Sequence, residues 1–156
     1  MAGTAHADKF LLGIAADMIE CGGPVNDGPQ QVVVRAALRH LDTWMRTGEA
    51  PPEAPRFEIT EGTAPAYQRD ADGIVLGGIR TPLVDVPVAV LSSETYPDPS
   101  IICLLLGSTK PLSEVRLAER YESADDYLAH GGTVGLARAL DVVGLIGDLI
   151  SLIGVG

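Results

Sequence analysis

Residues 26–48 read Asn26-Asp-Gly-Pro-Gln-Gln-Val-Val-Val-Arg-Ala-Ala-Leu-Arg-His-Leu-Asp-Thr-Trp-Met-Arg-Thr-Gly48, and they contain the clearest structural signal of the chain. Asp27 and Pro29 are typical of a turn that leads into a helix. Apolar residues then recur at helical spacing, at Val33, Ala36, Ala37, Leu41, Trp44 and Met45. Gly48 fits the position where a helix stops. The pattern predicts one long amphipathic helix over 30–47.

Beyond this helix the sequence favours extended structure. Residues 50–55 hold three prolines and predict a polyproline connector. Asp72-Gly73 lies between two short runs of strand-forming residues and indicates a hairpin. The apolar run 84–91 predicts a strand, which Pro87 restricts to a sheet edge or an extended segment. We therefore expect short antiparallel pairs and extended loops over 56–106.

Shorter helices are predicted on both sides of this region. Ser113 is a plausible N-cap for Glu114–Tyr121, and Ser123 for Ala124–Leu128. Residues 9–20 are expected to form a short helix or an irregular segment. With the long helix, these elements predict a mixed α and β assembly with one long amphipathic helix.

Composition indicates a soluble, acidic, folded chain. Its 156 residues suit one domain with a real core, and apolar residues make up 46% of them. The formal net charge of −10 repels nucleic acid and anionic membranes, and no cluster of Lys and Arg offsets it locally. Aromatic residues are scarce at 4%, which removes the stacking platforms of single-strand binders. Nucleic-acid and membrane partners are therefore not expected.

The cysteines and the absence of a clear leader suggest a cytoplasmic protein. Cys21 and Cys103 both lie among apolar residues, where free thiols are common, so we expect them to be unpaired. The one run like a signal peptide, Phe10–Ala16, begins late and is broken soon after by Asp17 and Glu20.

The first eight residues carry the candidate for proton transfer, His6. Gly3 allows unusual backbone angles, and alanines on both sides leave the imidazole uncrowded. Histidine has an unperturbed pKa near neutrality, so an exposed histidine in a tight loop is suited to general acid–base chemistry. On its own this motif is weak and favours an ordinary loop histidine.

Several motifs that occur in one order make the chain resemble a known family. They are Ala-Gly-Thr-Ala-His-Ala-Asp (2–8), Cys-Gly-Gly-Pro-Val-Asn-Asp-Gly-Pro-Gln (21–30), Ala-Leu-Arg-His-Leu-Asp-Thr-Trp (37–44), Pro-Pro-Glu-Ala-Pro-Arg-Phe (51–57), Arg-Asp-Ala-Asp-Gly-Ile-Val-Leu-Gly-Gly-Ile-Arg-Thr-Pro (69–82), Asp-Val-Pro-Val-Ala (85–89) and Cys-Leu-Leu-Leu-Gly-Ser-Thr-Lys-Pro-Leu-Ser (103–113). The series resembles the C-terminal part of large bacterial proteins described as alpha/beta hydrolase domain-containing proteins. The resemblance runs from about Ala2 to about Leu128.

This resemblance implies a partial α/β-hydrolase fold in which His6 is the triad histidine. Such triads run Ser, then Asp or Glu, then His along the chain, and the Ser sits in a Gly-x-Ser-x-Gly turn. No Gly-x-Ser-x-Gly occurs in this sequence, and Asp8 follows His6 too closely to be the usual acid. The chain therefore looks like the C-terminal segment of an esterase-like hydrolase, with nucleophile and acid absent.

The final segment departs from the family. We divide the chain into a hydrolase-like portion, 1–128, and an atypical apolar helical tail, 129–156, where the family resemblance implies a polar, alanine-rich helix. The tail contains Asp141 and Asp148, which disfavour a membrane span. It reflects either a truncation or reading-frame change, or a docking helix over 134–153.

No cofactor or metal ion is expected. Residues 70–73 match half a calcium loop in composition but lack its downstream Glu, which favours a turn. His6 and Asp8 could supply two metal ligands, but no second His or Cys is close in sequence to complete a site. Segments 107–110 and 132–135 have phosphate-loop residue types in the wrong order or spacing.

Two hypotheses of different classes follow. In the first, the chain supplies the general-base His6 of an ester or acyl hydrolase and is inactive alone, because the serine comes from another chain or from a missing upstream half. In the second, it is a non-enzymatic remnant or accessory domain that uses its apolar C-terminal helix. A missing hydrolase sheet would expose the apolar stripe of the long helix, which predicts marginal stability or homo-oligomers.

Overall fold

The computed structural model describes four stretches of the chain, residues 1–7, 9–13, 18–97 and 100–131. The predicted apolar helix over 134–153 lies outside these residues. So does Asp8.

Five helices are defined within the described stretches. They are α1 (Lys9–Leu12), α2 (Gln30–Thr47), α3 (Pro82–Asp85), α4 (Cys103–Leu106) and α5 (Glu114–Arg120). Residues 124–131 are helical as well. A search of the described helices found none with the length and apolar character needed to cross a bilayer.

The long helix α2 has the bounds that the sequence predicts. It begins directly after Pro29 and ends at Gly48, which adopts a left-handed φ of 76° and donates its N–H to the Trp44 carbonyl at 2.8 Å. Its start has no side-chain cap, because the N-cap residue is Pro29, which has no side-chain acceptor; the Asp27 carboxylate accepts a hydrogen bond from the Thr109 hydroxyl. The turn before α2 is thus held by a strand distant in sequence.

The two predicted serine caps are confirmed. The Ser113 hydroxyl accepts the Arg116 N–H at the start of α5, and the Ser123 hydroxyl accepts the Asp126 N–H. Each satisfies a backbone donor that the first helical turn leaves without an intrahelical partner.

Two short strands form an antiparallel pair, β1 (Ala89–Ser92) and β2 (Ser108–Pro111). The predicted strand over 84–91 is wrong in its first half. Pro82 occupies the first turn of α3, where its fixed φ and missing N–H suit a helix, and the strand begins only after Pro87. The apolar run at 101–106 likewise forms α4 rather than extended structure.

The predicted hairpin at Asp72-Gly73 is confirmed. Antiparallel bridges pair Arg69 with Val75, and the Asp70 carboxylate accepts the N–H groups of Asp72 and Ile74 at 2.9 Å each. One side chain therefore satisfies two backbone donors of the turn, and the Gly73 N–H donates to the Asp70 main-chain carbonyl at 3.0 Å. The 70–73 segment is a turn, as expected.

The expectation of unpaired cysteines is wrong. Cys21 and Cys103 form a disulfide across 82 positions of sequence. The bridge lies in a buried cluster with Ala7, Val25 and Leu106. Packing of α4 against the segment before α2 brings the two sulfurs together, which a local sequence window does not show.

Candidate functional site

The loop that carries His6 is packed into the fold through its small residues. Ala2, Ala5 and Ala7 are buried, whereas His6 is exposed. Gly3 has a left-handed φ of 70°, and a Cβ there would lie 2.6 Å from a methyl carbon of Val84. The small residues therefore allow the backbone to lie against the core while the imidazole faces outward.

Hydrogen bonds connect this loop to α4 and to α2. The Ala7 N–H donates to the Leu105 carbonyl at 2.9 Å, and the Gln30 side-chain amide donates to the His6 carbonyl at 3.3 Å. His6 thus lies between the end of α4 and the first residue of α2.

Among the described residues, no side chain is bonded to the His6 imidazole as a triad serine or acid would be. Within the described stretches no side chain is hydrogen-bonded to the ring, and the serine hydroxyls that form hydrogen bonds there do so elsewhere. The buried Ser108, for example, donates to the Glu94 carbonyl at 2.6 Å. The structure brings His6 to the surface but places no described nucleophile or acid beside it.

Two exposed apolar surfaces lie on α4 and α2, the helices to which the His6 loop is hydrogen-bonded. The first, the α4 face, consists of large side chains on and next to α4: Ile101, Ile102, Leu104 and Leu105. The second, the α2 face, consists of exposed apolar residues along α2: Val34, Leu38, Leu41, Trp44 and Met45. Ala36 is the buried residue of α2, so this helix turns most of its apolar stripe to solvent.

One strongly charged cluster is structural. The Asp72 side chain is only 6% exposed and accepts two hydrogen bonds from the guanidinium of Arg116, at 2.6 and 3.1 Å, and another from Arg120. The hydrogen bond from Arg116 holds the pKa of the Asp72 carboxyl below its usual value, and in turn the pKa of Arg116 is raised. The cluster joins the hairpin to α5, far from His6 in sequence.

The other two histidines do not join His6. His40 lies on α2, and His130 is paired with Asp126, with 3.1 Å between its Nδ1 and the carboxylate. Among the described residues, no group of His, Cys, Asp or Glu is arranged to hold a metal ion.

The sequence does not reveal the importance of Asn26, which its neighbours mark only as a turn residue. Asn26 is completely buried. Its amide nitrogen donates to the carbonyls of Gly3 and Ser92, at 3.1 and 3.0 Å, and its Oδ1 accepts the Gly28 N–H at 2.9 Å. Glycines and prolines on both sides of Asn26 indicate a tight turn, in which an Asn side chain often hydrogen-bonds to nearby backbone. They do not indicate the distant partners, Gly3 and Ser92.

Comparison with known proteins supports the family resemblance. A family model described as an alpha/beta hydrolase domain matches residues 1–133. Searches of curated proteins and of solved structures gave no match. Because the family model covers most of the chain, the protein belongs to the alpha/beta hydrolase domain family.

Proposed function

We propose that this chain supplies the general-base histidine, His6, of an acyl hydrolase that acts on carboxylic esters. In such an enzyme the imidazole accepts the proton of a serine hydroxyl as that oxygen attacks the ester carbonyl. It then gives the proton to the departing alcohol. An imidazole in this role must be accessible to both groups and held in a fixed place.

The observation that carries the proposal is that the His6 loop is hydrogen-bonded to both helices that carry the exposed apolar faces. The loop backbone is fixed by Ala7 and by Gln30, and the ring is exposed. Clusters of exposed apolar side chains, when they form a large patch, are typical of contact sites. A protein surface that covers both faces would close over His6 and exclude water from it.

The serine and the acid come, in this proposal, from a part of the hydrolase other than these 156 residues. No Gly-x-Ser-x-Gly occurs in the sequence. A segment encoded upstream, which carries that turn followed by an Asp or Glu, would pack on the α4 face and the α2 face. The chain alone is then inactive. The accessory-domain alternative depends on residues 134–153, which lie outside the described part of the chain.

The disulfide bears on where in the cell such a hydrolase would act. A cytoplasmic site stays a prediction, and the Cys21–Cys103 disulfide weighs against it, because structural disulfides persist mainly in oxidising compartments.

Two measurements test the role of His6. The purified chain is first treated with a fluorophosphonate probe and with p-nitrophenyl acetate. We expect no serine labelling and no turnover above that of the His6→Ala variant. Labelling of one of its own serines that disappears in His6→Ala would contradict the proposal, because the nucleophile would then lie within the chain.

The second measurement uses the chain reconstituted with the polypeptide encoded directly upstream. We expect hydrolysis of p-nitrophenyl esters, with kcat lower by about 10⁴-fold or more in His6→Ala, because loss of a triad residue lowers kcat by about 10⁴- to 10⁶-fold. His130→Ala is the matched control, because this histidine is also exposed but is paired with Asp126. Turnover that survives in His6→Ala would show that another residue is the base.

A further inference from the structure

Asn26 contacts both ends of the loop that contains His6. At the N-terminal end, its side-chain Nδ2 donates to the Gly3 carbonyl at 3.1 Å. At the other end, its backbone carbonyl accepts the Lys9 N–H at 2.7 Å. His6 lies midway between these two points. One residue therefore spans the base of the whole loop.

Asn26 is itself held rigidly. Its second Nδ2 hydrogen bond goes to the Ser92 carbonyl on β1, and its Oδ1 accepts the Gly28 N–H. Its own backbone N–H donates to the Leu106 carbonyl at 3.0 Å. All four polar groups of this buried residue therefore form hydrogen bonds. Through Asn26 alone, the loop is connected to β1, to α4 and to the turn before α2.

The geometry requires a neutral amide at this position. The Nδ2 group faces two carbonyl oxygens, and only a donor satisfies both. A carboxylate there would place negative charge against two acceptors in a buried site, where repulsion is little screened. Gly28 completes the arrangement, because a Cβ there would lie 2.7 Å from the Gly3 oxygen and 2.9 Å from the Asn26 Oδ1.

We propose that Asn26 is the positioning residue of His6, which it places by fixing both ends of the Gly3–Lys9 loop. The consequence for catalysis rests on the proposed function of His6. Small displacements of a general base reduce the rate strongly, since proton transfer needs the ring within hydrogen-bond reach of the hydroxyl. The residue acts through the loop and does not touch the substrate.

Amide hydrogen exchange in the full chain tests the placement without any need for activity. The variant Asn26→Asp keeps the size of the side chain and removes the donor. We expect the amides of Ala7 and Lys9 to exchange at least about tenfold faster, because Asn26 loses its hydrogen bonds to Gly3 in the loop and to Ser92 on β1, and the carboxylate repels both carbonyls. The Leu76 amide, which donates to Gln68 in the hairpin, is the internal reference and should change little.

Tyr121→Phe is the matched control. It removes one hydrogen bond from a side chain to the buried Pro87 carbonyl, and it leaves the His6 loop untouched. We expect its loop amides to exchange as in the wild type. If Asn26→Asp leaves the loop amides unchanged, or accelerates the Leu76 amide equally, Asn26 only stabilises the fold and the proposal is wrong.

Gly28→Ala provides a second variant, in case Asn26→Asp does not fold. It leaves Asn26 in place but pushes on the Gly3 carbonyl, so it should accelerate the same loop amides selectively. Normal loop exchange in Gly28→Ala would overturn the proposal. In the reconstituted enzyme both variants should lower kcat about tenfold or more with KM unchanged. If no turnover depends on His6, the proposed function is wrong. The role of Asn26 in positioning the loop is then still decided by the hydrogen-exchange data.

Discussion

Removal of the Cys21–Cys103 disulfide should cost a large part of the stability of this protein. The bridge closes a loop of 82 positions. In the chain-entropy treatment, a cross-link over roughly 82 residues lowers the free energy of the folded state relative to the unfolded one by about 4.5 kcal/mol at 25 °C. Domains of this size are stable by about 5–15 kcal/mol in total, so the bridge is a major contribution.

The measurement is urea unfolding followed by circular dichroism. We compare the wild type with and without a phosphine reductant, together with the double variant Cys21→Ala, Cys103→Ala. Both cysteines are buried, at 5% and 0% exposed, so reduction should become complete only as the chain opens. The expected loss of unfolding free energy is about 2–4.5 kcal/mol, since engineered and native bridges often deliver less than the entropy model gives.

The double variant also provides the control, because the reductant should not change its unfolding midpoint. A loss below about 1 kcal/mol would refute the loop-closure reasoning, and it would mean that the unfolded chain keeps the two segments close without the bond. Two titratable thiols in the native wild type, measured with a thiol reagent, would refute the pairing itself.

Three further results are expected. The carboxyl of Asp72 has a lowered pKa in the folded protein. Its contribution to stability is therefore present above pH 3.8, the ordinary pKa, and is lost as the pH falls through the lowered pKa. Asp72→Asn should therefore flatten the dependence of the urea midpoint on pH as the pH falls from about 5 through the lowered pKa, and an unchanged slope there would contradict this. Leu41→Glu places a charge on the α2 face, and it should reduce self-association measured by light scattering without loss of helix signal. A wild type that is a compact monomer would argue against that surface as a contact between copies. Gly107→Ala should cost about 2 kcal/mol more than Gly48→Ala, because both glycines have positive φ but a Cβ at Gly107 would lie 2.2 Å from the Ser92 carbonyl oxygen, whereas Gly48 is open. Equal unfolding free energies for these two variants would contradict the steric reasoning.

The elements that could be predicted from the sequence are those with local signals. The bounds of α2 follow from the turn before Gln30 and from Gly48, and the caps at Ser113 and Ser123 depend on residues three positions apart. The hairpin at Asp72-Gly73 is equally local. In each case the residues that form the hydrogen bonds stand close together in the sequence.

The errors arise where distant residues decide the structure. Cys21 meets Cys103 across 82 positions, and an apolar neighbourhood fits a free thiol as well as a bridge. The neighbours of Asn26 indicate only a turn, because its partners Gly3 and Ser92 are remote. The composition of the 84–91 run favours a strand, although the proline just before it permits a helical turn equally well.

The surface around His6 shows a different kind of discrepancy between sequence and structure. The apolar stripe of α2 has the spacing of a core-facing helix, yet Trp44 is 48% exposed and most of the stripe points away from the fold. An amphipathic pattern normally reflects a surface that the helix buries. The pattern of α2 therefore indicates a contact beyond the described fold, and Gln30 at its first turn is hydrogen-bonded to the His6 backbone. A protein segment that packs on that stripe and continues past Gln30 would pass near the His6 loop, and the proposed function requires its serine there.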